Sequence, residues 1–303
     1  MPSRVTPAYE FDVWGCRGSH NIIPARSRVG NDTSCYSLRR GENLYVFDAG
    51  RGLLVLGHQM AVEPRFRGVK NIHILVTHAH LDHWEGLKDV DWFWRRDNGL
   101  CVTIYGAREA LDAIKRGFAH PSYVPLEILA RGTLADFSVK PLKAAESYRA
   151  GPLRLETFPL NHYSGAGHSK RYLDTLGYRL TAAGGPSLSY LSDHEPNRKT
   201  RPVEDDMLRG ARLAIYDSHF RDIKDQMYGH GSQEHAALMA RANPGTLVLA
   251  GHLGPMYSDE EVFGAYRRHA KGLDNFRLAL EGGRFGWDGA RGAFARLAST
   301  ERL

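Results

Sequence analysis

His78-Ala79-His80-Leu81-Asp82-His83 puts four groups able to ligate a metal into six residues, directly after the apolar run Ile72 to Val76. The stretch Asn71 to Thr77 reads as a buried strand that stops where the histidines begin, so the motif sits on a strand-end loop. Imidazoles two residues apart on an extended end point to the same side, while a tighter turn at Leu81 carries Asp82 and His83 to a neighbouring position. One segment can thus feed two metal ions. A close pair of divalent cations needs about three or four nitrogen and oxygen ligands each, a bridging carboxylate and an open position for water. Further ligands should therefore lie downstream. His162 follows Phe158-Pro159-Leu160, Asp193 follows Leu188 to Ser192, and His252 follows Leu247 to Gly251. One histidine at a strand end is ordinary; three ligand-type residues after three apolar strands form a pattern.

No low-complexity tract, short-period repeat or Pro/Gly/Ser-rich linker divides the 303 residues, and the chain reads as one domain over 1–303. Its 42% hydrophobic content suffices for a buried core. Strands are expected at Tyr9 to Trp14, and at Cys35 to Arg39 and Leu44 to Phe47 as a hairpin. Others are expected at Cys101 to Tyr105, Leu153 to Leu160, Gly177 to Leu180, Ser187 to Leu191, Ala211 to Tyr216, Thr246 to Ala250 and Phe276 to Leu280. Helical spacing occurs over Trp84 to Arg96, Arg108 to Arg116, Gln233 to Ala242 and Asp259 to Lys271. Hairpins first, then strands alternating with helices, predict an α/β (α+β) chain of mixed sheets covered by helices on their outer faces.

With these residues in place, the chain resembles the metallo-β-lactamase superfamily, in which such ligands occur in this order on a four-layer αβ/βα sandwich. The resemblance implies two divalent metal ions, zinc first, with manganese or iron also suited to histidine and carboxylate ligands. It assigns His78, His80 and His162 to one metal and Asp82, His83 and His252 to the other, with Asp193 bridging. Asp48, in Phe47-Asp48-Ala49-Gly50, matches the family's acidic residue beneath the site, a partner for one of the ligands.

Within that superfamily the chain is most similar to the tRNase Z-like and cyclic nucleotide phosphodiesterase branch. Trp14-Gly15-Cys16-Arg17-Gly18-Ser19 and Gly30-Asn31-Asp32-Thr33-Ser34-Cys35 resemble its opening loop and strand start, with Asp32 where asparagine is usual. Ser34 is there a candidate substrate contact. Gly229-His230-Gly231-Ser232 resembles the branch's Gly-His-Ser segment with a glycine inserted; the corresponding histidine faces the scissile phosphate. The resemblance makes His230 the catalytic group that meets transition-state charge or protonates the leaving oxygen, and Asp82 a catalytic ligand that orients the attacking water. His168 and His219 are further candidates for substrate contact, whereas His194, beside Asp193 on an extended segment, faces away.

A net charge of +6 favours an anionic partner, but the basic residues are dispersed and there is no basic tail. The branch's tRNA-processing members carry a long arm between the residues matching His162 and Asp193; here 30 residues (163–192) intervene and include a hairpin. The expected substrate is accordingly a small anionic phosphodiester, a cyclic nucleotide before a structured nucleic acid. An RNA nuclease, a lactonase or β-lactamase-like hydrolase, and a metal-bound ligand-sensing scaffold are the competing readings. The absence of a signal-like start, of an apolar stretch of membrane-spanning length and of a cysteine framework predicts a cytoplasmic chain with no membrane contact. A homodimer is expected from the branch, and Trp92-Phe93-Trp94 is a candidate subunit contact or substrate wall.

Overall fold

A computed structural model describes residues 8–22, 27–90, 99–125, 136–165 and 167–297. The aromatic triplet at Trp92 to Trp94 lies outside the described residues. In chain order the strands are β1 (Glu10–Gly15), β2 (Cys35–Arg40), β3 (Asn43–Phe47), β4 (Asn71–Leu75), β5 (Cys101–Ala107), β6 (Asp136–Leu142), β7 (Ser147–Ala150), β8 (Leu153–Pro159), β9 (Tyr163–Ser164) and β10 (Arg171–Tyr172). They continue with β11 (Leu176–Thr181), β12 (Ser187–Leu191), β13 (Leu213–Asp217), β14 (Leu247–Gly251), β15 (Phe276–Leu278), β16 (Arg284–Asp288) and β17 (Ala293–Arg296). Five α-helices are present among the described residues: α1 (Gly52–Val62), α2 (Arg108–Gly117), α3 (Arg201–Leu208), α4 (Gln233–Ala242) and α5 (Asp259–His269). None is long and apolar enough to cross a membrane.

Two large sheets carry the fold, in the orders β17-β16-β1-β2-β3-β4-β5-β6 and β15-β14-β13-β12-β11-β8-β7. Each changes character partway: β1, β2 and β3 pair antiparallel before β3 to β6 run parallel. Likewise β7, β8, β11 and β12 pair antiparallel before β12 to β15 run parallel. Period-two alternation sorts the side chains of the first sheet. Tyr36, Leu38, Tyr45, Phe47, Leu75 and Tyr105 join the core shared with the second sheet. Cys35, Leu44, Val46, Ile72, Ile74, Val102 and Ile104 face the other way, against Leu53 and Leu56 of α1 and Leu111 and Ile114 of α2. Tyr190 of the second sheet touches Tyr36 and Phe47 of the first at ring distances of 5.6 and 5.4 Å. Met207 and Leu208 of α3 and Ala236 and Ala240 of α4 cover the outer side of the second sheet. The result is the expected four-layer αβ/βα sandwich.

The expected helix from Trp84 gives way, over the described part, to short 3-10 turns at Leu81–His83 and Glu85–Asp89. Gly86 explains this: its amide bonds to the Ala49 carbonyl at 2.9 Å, and a Cβ there would stand 2.2 Å from the Gly50 oxygen. The chain is thereby pinned to the β3–α1 corner instead of winding onward. Helix α1 was not anticipated, because Leu53 to Leu56 is a continuous apolar run with no helical spacing.

Candidate metal and catalytic site

Parallel strands deliver their ends to one edge of the sandwich, where open α/β sheets characteristically place their ligands. Asp48 follows β3, His78 to His83 follow β4, His162 follows β8, Asp193 follows β12, Asp217 ends β13 and His252 follows β14. The backbone turns out of the strands sharply. Six non-glycine residues among those described have positive φ, and five of them border this edge: Ser19, Asp48 (54°), Asp193 (52°), Tyr228 and His252 (51°). Asp and His tolerate the left-handed region better than most residues, and strain of this kind gathers where geometry is fixed by function.

Asp193 stands at the centre. Its Oδ2 faces His78 Nε2 at 3.6 Å and His162 Nε2 at 3.5 Å, while its Oδ1 faces His83 Nε2 at 3.2 Å and His252 Nδ1 at 3.2 Å. His80 Nδ1 lies 3.0 Å from His162 Nε2, and Asp82 Oδ2 lies 3.3 Å from His83 Nε2. Two groups that could each hold a metal ion result: His78, His80, His162 and Asp193, and Asp82, His83 and His252. The two carboxylate oxygens of Asp193 thus look into different groups.

The donors suit cations. His78 Nε2, His83 Nε2 and His252 Nε2 are buried with no hydrogen-bond partner among the described residues, a costly condition unless something binds their lone pairs. Neighbours fix which nitrogen is free. His83 Nδ1–H donates to Asp48 Oδ2 at 2.7 Å, and His162 Nδ1–H donates to the Gly229 carbonyl at 2.8 Å, which turns each Nε2 toward the cluster. Burial opposes a charge on His83, but the carboxylates of Asp193, Asp82 and Asp48 outweigh it and hold its pKa well above the ordinary value, so a cation at His83 Nε2 would take the place of a proton. Burial holds His78 well below its ordinary pKa, His162 down at about 4 and His252 at about 3, so these rings are neutral and their lone pairs available. Asp48, fully buried, accepts further from Thr77 N–H at 2.8 Å and Tyr190 O–H at 2.7 Å. The Ser19 amide donates to Asp82 Oδ2 at 2.8 Å.

His230 stands beside this constellation, its ring 4.9 Å from that of His162. Its Nδ1–H donates to Asp217 Oδ2 at 3.0 Å. Burial alone would disfavour a charge on His230, but the Asp217 carboxylate outweighs it and holds the pKa above the ordinary value. Asp217, whose burial opposes ionisation, is nonetheless held down at about 2 by His230. Sequence reading passed over Asp217, although it ends a buried strand just as Asp193 follows one.

Of the other expected contacts, Ser34 is fully buried and its hydroxyl sits 3.1 Å from His252 Nδ1. His168 is exposed on a short 3-10 turn and lines neither cavity beside the site. His219 is buried and stacks on His230 at 4.3 Å. A recess of about 350 Å³ opens over Ser19, His80, Asp82, His162, Asp193 and His230. It adjoins a groove of about 1050 Å³ between α2 and the β9–β10 ribbon, lined by Arg108, Arg116 and Arg171 but also by Glu109, Asp112 and Asp174, and sharing His80.

The model of the β-lactamase superfamily domain matches residues 43–253. Ribonuclease Z of Mycobacterium marinum is 26% identical over 267 residues, covering 80% of this chain and 87% of that protein. The metallo-β-lactamase fold protein YhfI from Bacillus subtilis superposes with a TM-score of 0.64 at 16% identity, over 92% of this chain and 99% of that one. Unliganded yeast PDE1 superposes with a TM-score of 0.65 at 16% identity, with the same shares covered. From the matched family, the ligand-bearing strand ends and the shared sandwich it follows that the chain belongs to the metallo-β-lactamase superfamily of metal-dependent hydrolases.

Proposed function

We propose that the protein is a binuclear metal-dependent phosphodiesterase acting on a small phosphodiester, with a cyclic nucleotide as the first substrate class. The observation that carries this reading is the Asp217–His230 pair, an imidazole whose charged form the carboxylate favours, beside the metal-ligand cluster at the mouth of the recess. A phosphodiester gathers negative charge and sheds an alkoxide that needs a proton, and a cationic donor beside the metal ligands meets both demands.

In this reading His78, His80 and His162 hold one cation, Asp82, His83 and His252 the other, and Asp193 bridges them. When bound, the two cations supply Lewis-acid stabilisation of phosphoryl oxygens and activate water near neutral pH. Asp48 fixes the tautomer and aim of His83, Ser34 those of His252, and the Gly229 carbonyl those of His162. Asp82, steadied by the Ser19 amide, orients the attacking water. His230 delivers its Nε2 proton to the departing oxygen while Asp217 stabilises the imidazolium beforehand.

A recess of about 350 Å³ is in the range of small-ligand pockets and suits one nucleotide. The ribonuclease Z relative and the adjoining groove favour a second reading, a nuclease acting on a single-stranded RNA end that runs past His80 into that groove. Bis(p-nitrophenyl) phosphate, 3′,5′- and 2′,3′-cyclic nucleotides, a short oligoribonucleotide and a lactone should be assayed side by side with added zinc or manganese. Turnover of cyclic nucleotides above the oligomer supports the first reading, and the reverse order supports the second. Turnover of the lactone alone would sink both.

A further inference from the structure

His219 carries a feature that substrate contact does not explain. Its Nδ1 is buried and has no hydrogen-bond partner among the described residues, the same condition as His78 Nε2, His83 Nε2 and His252 Nε2. The residue is 5% exposed. One nitrogen each from His219, His230 and His252 lie within 4.8 Å of one another. The free nitrogens of His219 and His252 face a common space. A Cβ added at Gly18 would stand 2.8 Å from His219 Nδ1 and 2.4 Å from His252 Nε2, so glycine leaves that space open.

Asp217 braces two of the three rings. Its Oδ1 accepts the His219 amide at 3.0 Å and its Oδ2 accepts His230 Nδ1–H at 3.0 Å, leaving His230 Nε2 as the ligating atom of a carboxylate-backed histidine. The rings of His219 and His230 lie 16° from parallel, those of His230 and His252 18°. Bringing their lone pairs onto one ion takes rotation of the outer rings about Cβ–Cγ, a broad and soft torsion for histidine.

We infer that His219, His230 and His252 form an alternative berth for the second cation, made wholly of imidazole and sharing His252 with the Asp82, His83 and His252 group. This rests on the binuclear reading above. Because one ring serves both groups, the two berths hold one ion between them. Three imidazoles with a position open to water suit a late first-row ion such as zinc or cobalt, whereas the berth containing Asp82 also suits harder ions such as manganese. With the ion in the imidazole berth, His230 Nε2 is occupied and cannot donate a proton. The position of the second cation would then decide whether the acid of the reaction is free.

Metal content after chelator treatment and reloading with zinc or cobalt separates the possibilities. Wild type, Asp82→Ala and His219→Ala should each retain two equivalents per chain, and the Asp82→Ala/His219→Ala double variant should retain one. Far-UV circular dichroism checks folding, with His219→Asn replacing His219→Ala if the latter misfolds. A single equivalent in Asp82→Ala alone overturns the berth, as does retention of two in the double variant. Fewer than two equivalents in wild type would instead overturn the binuclear reading on which the berth depends.

Discussion

Two buried clusters of histidine and carboxylate lie back to back at the strand ends, joined through the neighbouring residues Asp193 and His194, and they differ in one respect. Around Glu204 every need is met within the protein. Its Oε1 accepts from His194 Nε2 and Thr200 O–H, its Oε2 from Tyr216 O–H and His235 Nε2, at 2.8 to 3.1 Å. His194 Nδ1 accepts in turn from the Asn161 amide at 3.0 Å. Around Asp193 the same residue types leave four ring nitrogens, those of His78, His83, His219 and His252, without a partner among the described residues. Burial and composition therefore do not distinguish a structural cluster from a metal site; the ledger of donors and acceptors does. A closed ledger stabilises the fold, and an open one awaits an ion.

The strongest test of this contrast removes the centre of the open cluster. Asp193→Ala should lose both metals and reduce hydrolysis to background, measured by metal analysis and turnover; full metal content in that variant would refute the bridging role. His230→Ala should keep both metals and lose about a thousandfold in turnover, and unchanged turnover would take His230 out of the mechanism. The closed cluster predicts the opposite pattern: Glu204→Gln should lower stability by about 3 kcal/mol while leaving metal content intact. Burial disfavours the Glu204 carboxylate, but bonds from His194 and His235 outweigh this and hold its pKa below the ordinary value. Its contribution is thus present above the ordinary carboxylate range and lost as pH falls below it. The stability gap between wild type and Glu204→Gln, read from urea melts, should narrow from pH 6 to pH 3; a constant gap would contradict the network.

How much of this was legible in the sequence follows from how each half supplies its groups. The first sheet contributes a contiguous segment, His78 to His83, whose meaning survives without tertiary structure. The second contributes single residues, and His162, Asp193 and His252 could be found because each follows an apolar strand. Asp217 carries the same mark, since it ends the apolar strand β13. The stacking of His219 on His230 joins residues brought together only by β13 and the loop before α4, and no local pattern encodes it. The contact of the Ser34 hydroxyl with His252 Nδ1 has no local signal either, because whether a hydroxyl faces a recess or a ring depends on packing. Glu204 gave no sign: a glutamate in the first turn of a helix is ordinarily exposed, and here Tyr216 and two histidines enclose it.

The left-handed backbone at the strand ends has a further consequence for anyone seeking a hardier protein. At Asp48, Asp193 and His252 the chain holds a conformation that glycine would adopt at less expense, but glycine there would remove the side chains that give the edge its chemistry. These positions are closed to improvement. Ala145 is the exception: it has φ 60°, lies in the exposed turn between β6 and β7, and touches no part of the site. Ala145→Gly should raise the stability of the protein by about 1 kcal/mol, visible as a higher melting temperature with unchanged turnover, and a lower melting temperature would show that the turn is not strained. Tolerance to heat and capacity for hydrolysis would then be adjustable on separate parts of the chain.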